Sequence, residues 1–207
     1  MSFIVFIQVF IVCLLGAMSP GPSMALVINN AVLKNRYHGI LTAIGHGLGI
    51  TVYAIFAVVG IGLIIKTNIF IFNSLKILSI IFLFYLGLKS IANKNQMSFK
   101  QENLTTEVFS FFQGFIIAML NPKIFIWFIA IYSQFMSKNN DLLFNIYLIL
   151  TAGIVDTCWY VLLTIISTSG LFLNFFKSKS NILQKSLGVI FIIIGVVLLL
   201  DLFSKVN

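Results

Sequence analysis

Three chemically distinctive groups interrupt the apolar runs of this sequence: Ser19-Pro20-Gly21-Pro22-Ser23, Asn121-Pro122-Lys123, and Asp156, the one carboxylate near the middle of such a run. Each sits inside a run long enough to span a bilayer, where polar and ionisable groups are costly and mark function by default. Pro20 and Pro22 remove two backbone donors and clash with the preceding turn, while Gly21 admits dihedrals that other residues avoid. Carbonyls released at membrane depth persist only where protein or a wet cavity meets them. Beyond the break, Ser23 is the expected cap of a new helix whose N-terminus, with its partial positive charge, suits a carboxylate. At the second break Asn121 is placed to pair with the carbonyls that Pro122 frees. Lys123 brings an ammonium that must face the bundle interior and find a partner, unless it buries its stem and reaches an interface. Asp156 is a candidate counter-ion or proton carrier, with Lys123 or a substrate ammonium as its expected partner. The competing reading is structural in each case, a kink or a plain ion pair. Asn29 and Asn30, one or two turns past the first break, are candidates for lining the same cavity, although Asn also serves as interhelical glue.

The elements that must position these groups follow from hydropathy. Of 207 residues, 60% are hydrophobic and 9% charged, and the mean hydropathy is +1.09. A soluble domain carries about 45–50% apolar and about 25% charged residues, so this chain has too few charges to cover a surface facing water. A spanning helix needs about 20 mostly apolar residues, and six runs qualify: Phe3–Leu33, Gly39–Ile65, Ile69–Ala92, Phe109–Phe135, Leu142–Ser169 and Ile182–Phe203. The expected fold is therefore an all-α integral membrane protein of six transmembrane helices in a single domain, residues 1–207. The extended polar connection Lys94–Glu107 divides it into halves of about 1–93 and 108–207. Each half holds an odd number of helices, so homologous halves would insert in opposite directions. Helices one and four both carry Pro-containing breaks, and paired interruptions of this kind point to an inverted 3+3 repeat with its binding site at the breaks.

Counting Lys and Arg by side sets the orientation. Lys34, Arg36, Lys89, Lys94, Lys100, Lys177, Lys179 and Lys185 fall on one side, against Lys66, Lys138 and Lys205 on the other. The positive-inside rule then places both termini on the non-cytoplasmic side. The net charge of +8 is scattered through these short gaps without a patch suited to nucleic acid. The N-terminal apolar stretch has no basic segment before it and runs past any cleavage point, so it reads as a first membrane helix. Cys13 and Cys158 define neither a disulfide framework nor a metal site. Gly45 and Gly49 have small-xxx-small spacing for close helix packing, and His46 between them reads as a polar interhelical contact more than a ligand. Asp201, near a helix end, reads as interfacial. Metalloprotease, nucleophile-elbow and Walker motifs are absent. No cofactor or enzymatic activity is therefore expected, and uphill transport would draw on an ion gradient. A metal-ion carrier would need several converging carboxylates; a scaffold would have no use for Lys123 and Asp156.

Taken in order, these landmarks resemble the LysE/RhtB superfamily of bacterial amino-acid exporters. The matching residues are Ser19-Pro20-Gly21-Pro22, Gly45 through Gly49, Gly60-Ile61-Gly62-Leu63, Tyr85-Leu86-Gly87-Leu88-Lys89, Phe112-Gln113-Gly114-Phe115, Leu120-Asn121-Pro122-Lys123 and Gln134-Phe135. The resemblance implies a secondary transporter in the cytoplasmic (inner) membrane that exports amino acids by proton antiport, with a homodimer as the expected assembly. Members associated with basic amino acids carry an acidic residue shortly after the helix-two glycines, where this chain has Ile50 and Thr51. A neutral substrate such as threonine, homoserine or a branched aliphatic amino acid is the resulting expectation. Asp156 and Trp159 remain to read its ammonium, Trp159 through a cation–π contact.

Overall fold

The computed structural model describes residues 3–92, 106–137, 141–168 and 170–204. Lys94, Lys100, Lys138 and Lys205, which carry part of the charge count, lie outside the described residues, as does most of the connection between the expected halves. The regular structure described is helical throughout: α1 (Phe3–Met18), α2 (Pro22–Asn29), a π-helical turn (Asn30–Lys34), α3 (Arg36–Thr67), α4 (Ile69–Ala92), α5 (Glu107–Met119), α6 (Pro122–Phe135), α7 (Leu142–Ser167) and α8 (Gly170–Ser204). Side chains cap several starts. Asn35 accepts from the His38 amide at 3.1 Å, Thr106 from Phe109 at 3.4 Å and Asp141 from Phe144 at 2.9 Å.

Among the described residues three helices, α3, α4 and α7, are each long and apolar enough to cross a membrane, and two bent pairs qualify when each is taken as one span. The pair α1–α2 bends by 68° and α5–α6 by 57°, at the two expected proline breaks. With 32 residues at 1.5 Å each, α3 is about 48 Å long and exceeds the hydrocarbon thickness. The last helix differs from expectation. It begins at Gly170 where hydropathy put the start near Ile182, and its apolar stretch is the shorter Gln184–Leu200. Hydropathy marks what lipid tolerates and not where a helix must start, and 170–181 holds no Pro to bar a helix there. Outward faces are apolar, with Phe56 and Leu88 each 61% exposed and Phe70 76% exposed. Such surface suits lipid and is ruinous in water.

Close helix contacts run through glycines. A Cβ at Gly49 would lie 2.6 Å from that of Ala118, and one at Gly114 would strike the Thr42 carbonyl, so α3 and α5 touch at backbone distance. Where α3 crosses α7, Gly47 faces Thr157 and the Gly153 carbonyl, while Gly153 faces Thr51 and the Gly47 carbonyl. Gly87 of α4 and Gly188 of α8 likewise face one another's carbonyls. Between the helices lies a core that includes Val9, Ile61, Leu83, Phe128, Tyr132 and Leu148. Near the start of α3 a buried polar network ties helices together: Asn30 donates to Thr42 at 2.8 Å and to Gln113 at 3.1 Å, and His38 Nδ1 lies 2.7 Å from Ser110 Oγ.

Gly114→Ala is expected to destabilise the detergent-solubilised protein by about 1–3 kcal/mol, the usual scale of overpacking. Gly60, with nothing within 4 Å of an added Cβ, is expected to tolerate Ala without change. Thermal unfolding of both variants measures the difference; equal midpoints would mean that α3 and α5 are not held at backbone contact.

Candidate functional site

At the first break Pro20 removes the donor that would have bonded the Gly16 carbonyl, and the Ser19 amide takes its place at 3.2 Å. The chain restarts with Gly21 extended at the N-cap of α2 and Pro22 at the first helical position, where its missing N–H costs nothing. This corrects the expected role of Ser23. It lies inside the first turn, and α2 begins without a side-chain cap. At the second break the Ala118 carbonyl accepts from the Asn121 amide at 3.2 Å, and the Met119 carbonyl accepts from the Tyr53 hydroxyl. Asn121 thus serves a freed carbonyl, as expected, through its backbone amide and not its side chain. Its Oδ1 caps α6 by accepting from the Lys123 amide at 3.0 Å, and its Nδ2 reaches Ser23 Oγ across the bundle at 3.4 Å. The two breaks are thus joined to each other. Lys123 Nζ joins them a second time by donating to Ser19 Oγ.

Two cavities flank this junction. The inner one, of about 60 Å³, is lined by residues of both breaks (Ser19, Gly21, Ser23, Asn121, Lys123), by His46 and Ile50 of α3, by Ala152, Asp156 and Tyr160 of α7, and by the apolar wall Ile124, Trp127, Phe128 and Ile131. At roughly 10–15 Å³ per water position, that is room for a few waters, about the size of a small substrate's polar end. The outer one is wider, about 490 Å³, and is lined by Pro20, Pro22, Lys89, Ser90 and Gln184 among others. Gly21, Asn121 and Lys123 line both, so the junction is the partition between them.

Asp156 is buried, and its partner is not the expected Lys123. Its Oδ2 lies 2.7 Å from His46 Nδ1. His46 is 1% exposed; the Tyr160 ring packs edge-on against it at 4.8 Å between centroids, and its Nε2 has no hydrogen-bond partner among the described residues. His46 is thus a polar interhelical contact, as expected, but its partner Asp156 was not foreseen. One signal was available: His46 and Ile50 sit four apart on α3, and Ala152, Asp156 and Tyr160 four apart on α7, which is one helical face each. Trp159 falls off that face and packs beside the cluster of Met24, Val27, Ile28 and Tyr160, outside both cavity linings. Asn29 is buried in α2 and also lies outside both linings. Asn30 belongs to the Thr42–Gln113 network instead.

A multi-pass helical membrane protein with a largely apolar cavity, holding a few polar groups, at paired proline breaks is built as a translocator. The sequence matches the LysE type translocator family over residues 14–202, and the chain belongs to that family. It is 26% identical over 191 residues to the "Uncharacterized membrane protein YrhP" of Bacillus subtilis, covering 86% of this chain and 90% of that one. It is 26% identical over 182 residues to the "Leucine efflux protein" of Salmonella typhimurium, covering 84% of each. A Haemophilus influenzae "Uncharacterized membrane protein" is 21% identical over 207 residues, covering 97% of this chain and 98% of that one. No solved structure matches the chain.

Because Asn121 both caps α6 and ties it to Ser23, Asn121→Ala is expected to cost about 0.5–2 kcal/mol of stability. Asn121→Asp keeps the cap acceptor and is expected to recover most of that loss. Thermal midpoints of the two purified variants decide it; equal losses would mean that the bond to Ser23 outweighs the cap.

Proposed function

We propose that this chain is a secondary transporter exporting neutral, aliphatic amino acids across the cytoplasmic membrane, driven by proton antiport. One observation carries the reading: the smaller cavity at the two breaks is lined by one ammonium, Lys123, by one carboxylate, Asp156, and by a mostly apolar wall. A zwitterion needs that set. Its carboxylate would replace Ser19 on Lys123, next to the N-terminus of α2, which has no side-chain cap and carries partial positive charge. Its ammonium would go to Asp156, and its side chain to Ile124, Phe128 and Ile131. Among the described residues Lys123 makes no ion pair, so an anionic substrate would supply one. The wall favours a leucine-like substrate over threonine or homoserine, whose hydroxyl would lose its hydrogen bonds there. The relative named for leucine efflux lends this support, and Ile50 in place of an acid argues against a cationic cargo.

Six spans and an inverted repeat are part of the reading. Support comes from the two similar bends and from the reciprocal Gly47–Thr157 and Gly153–Thr51 contacts, which place Gly-x-x-x-Thr in corresponding helices of the two halves. The wider cavity is reached past Lys89, Ser90 and Gln184, at the helix ends that the charge count assigns to the cytoplasm. The conformation described is on this reading open inward. Both termini then lie outside.

Cells expressing the chain and loaded with leucine-containing dipeptides are expected to release leucine in preference to lysine. Lys123→Met and Asp156→Asn each remove a charge-assisted contact worth about 1.5–3 kcal/mol, so release is expected to fall about ten- to hundredfold with membrane levels unchanged. Lysine released as fast as leucine would overturn the neutral-substrate reading. Undiminished release from both variants would remove the cavity from the path.

A further inference from the structure

Resting on the exporter reading, we propose that His46 and Asp156 form one proton-binding site, and that the proton held there and the substrate ammonium displace each other. The two side chains meet at 2.7 Å although they come from helices 110 positions apart in the chain. A histidine that only fastens two helices has both ring nitrogens satisfied, because an unpaired buried polar atom is costly. His46 leaves Nε2 unpartnered in a cavity wall. Nor do α3 and α7 need it as a fastener. Gly47, the next residue of α3, and Gly153, three residues before Asp156 on α7, already bring the two backbones into contact.

The charge balance gives the coupling. With a proton on both ring nitrogens, imidazolium His46 neutralises Asp156 and the pair is occupied. When the cavity is open to the cytoplasm, the Nε2 proton leaves to solvent, His46 becomes neutral, and its remaining N–H donates to Asp156. The carboxylate then accepts the substrate ammonium as its counter-charge. When the cavity is open to the outside the exchange reverses: the ammonium leaves and a proton returns to Nε2. One buried carboxylate holds one cation at a time, since a second would be left unpaired at high cost. The other titratable groups facing this space are Cys13 of α1, Lys123 and Tyr132 of α6, and Tyr160 of α7. From α2 and α5 none lines it among the described residues. Lys123 bears the charge that the substrate carboxylate answers, and so leaves Asp156 to the ammonium.

The test uses the full chain, with leucine as the probe. Purified wild-type protein in weakly buffered detergent is expected to release a proton on binding leucine, read by an indicator dye. Proteoliposomes are expected to take leucine against its gradient when a pH gradient is applied. In His46→Gln proton release should vanish and gradient-driven uptake should fall about tenfold or more, the scale of a coupling free energy. Leucine counterflow at equal pH should persist at a reduced rate and lose its dependence on pH. Binding without proton release in the wild type, or proton release that survives in His46→Gln, overturns the proton site while leaving the exporter standing. Counterflow and gradient-driven uptake reduced in proportion, with the wild-type pH profile, would make His46 a positioning residue only and likewise overturn it. His46→Asn serves as the second variant, and failure of both to insert would mark the residue as structural and defeat the assignment. Wild-type protein that neither binds nor exchanges any neutral amino acid would instead defeat the exporter reading itself.

Discussion

Inside a bilayer no backbone polar group can be left to the solvent, and the two proline breaks force this chain to answer that constraint twice. Each break strands carbonyls at membrane depth. The Gly16 carbonyl is met by the Ser19 amide, the Ala118 carbonyl by the Asn121 amide, and the Met119 carbonyl by the hydroxyl of Tyr53 from another helix. Satisfying these groups draws polar side chains to the middle of an apolar bundle. Once there, Asn121, Ser23, Ser19 and Lys123 bond to one another and close the partition between the two cavities. The breaks, the bends and the site have one cause.

Glycines make room for this arrangement. Helices that touch at backbone distance leave no space for side chains along the α3–α5 and α3–α7 contacts, so the bulky residues gather elsewhere, around Phe128, Tyr132 and Leu148. Tyr132 is buried yet not orphaned, since its hydroxyl donates to the Leu148 carbonyl at 2.7 Å. Two ionisable groups from facing helices, His46 and Asp156, can share this interior because each finds the other. An unpaired charge in the same position would cost several kcal/mol.

Much of this was legible in the residues alone, and the misses have specific causes. Proline at membrane depth is an unambiguous signal, so both breaks and their neighbours Lys123 and Asn121 stood out. A lone carboxylate in an apolar run is equally conspicuous, which singled out Asp156. Its partner was not legible, because nothing local in Gly45-His46-Gly47 records a neighbour in α7. Charge alone suggested Lys123, but three-dimensional packing gave Lys123 to Ser19. Trp159 was chosen for chemistry without regard to its face. Stepping by four from Asp156 leads to Ala152 and Tyr160, and those are the residues that reach the cavity. Ser23 was expected to cap a helix by residue preference, but Pro22 already occupies the first helical position and moves the cap to Gly21. Asn30, buried against Thr42 and Gln113, lies in a π-helical turn, a local departure that periodicity does not foretell.

The glycine contacts also limit how the molecule can change shape. Backbones packed without intervening side chains have nothing to re-rotamer and no cushion on which to slide. α5 and α7 are each joined to α3 in this way, and α4 is joined to α8 through Gly87 and Gly188. α3, α5 and α7 are thereby held as one stiff group, and α4 and α8 as another. The seam between these two groups runs by α6, which touches both α3 and α4 and meets α4 where the Ser79 and Ser133 hydroxyls lie 3.2 Å apart. Lys123, on α6 beside that seam, would be the first polar group to feel it move.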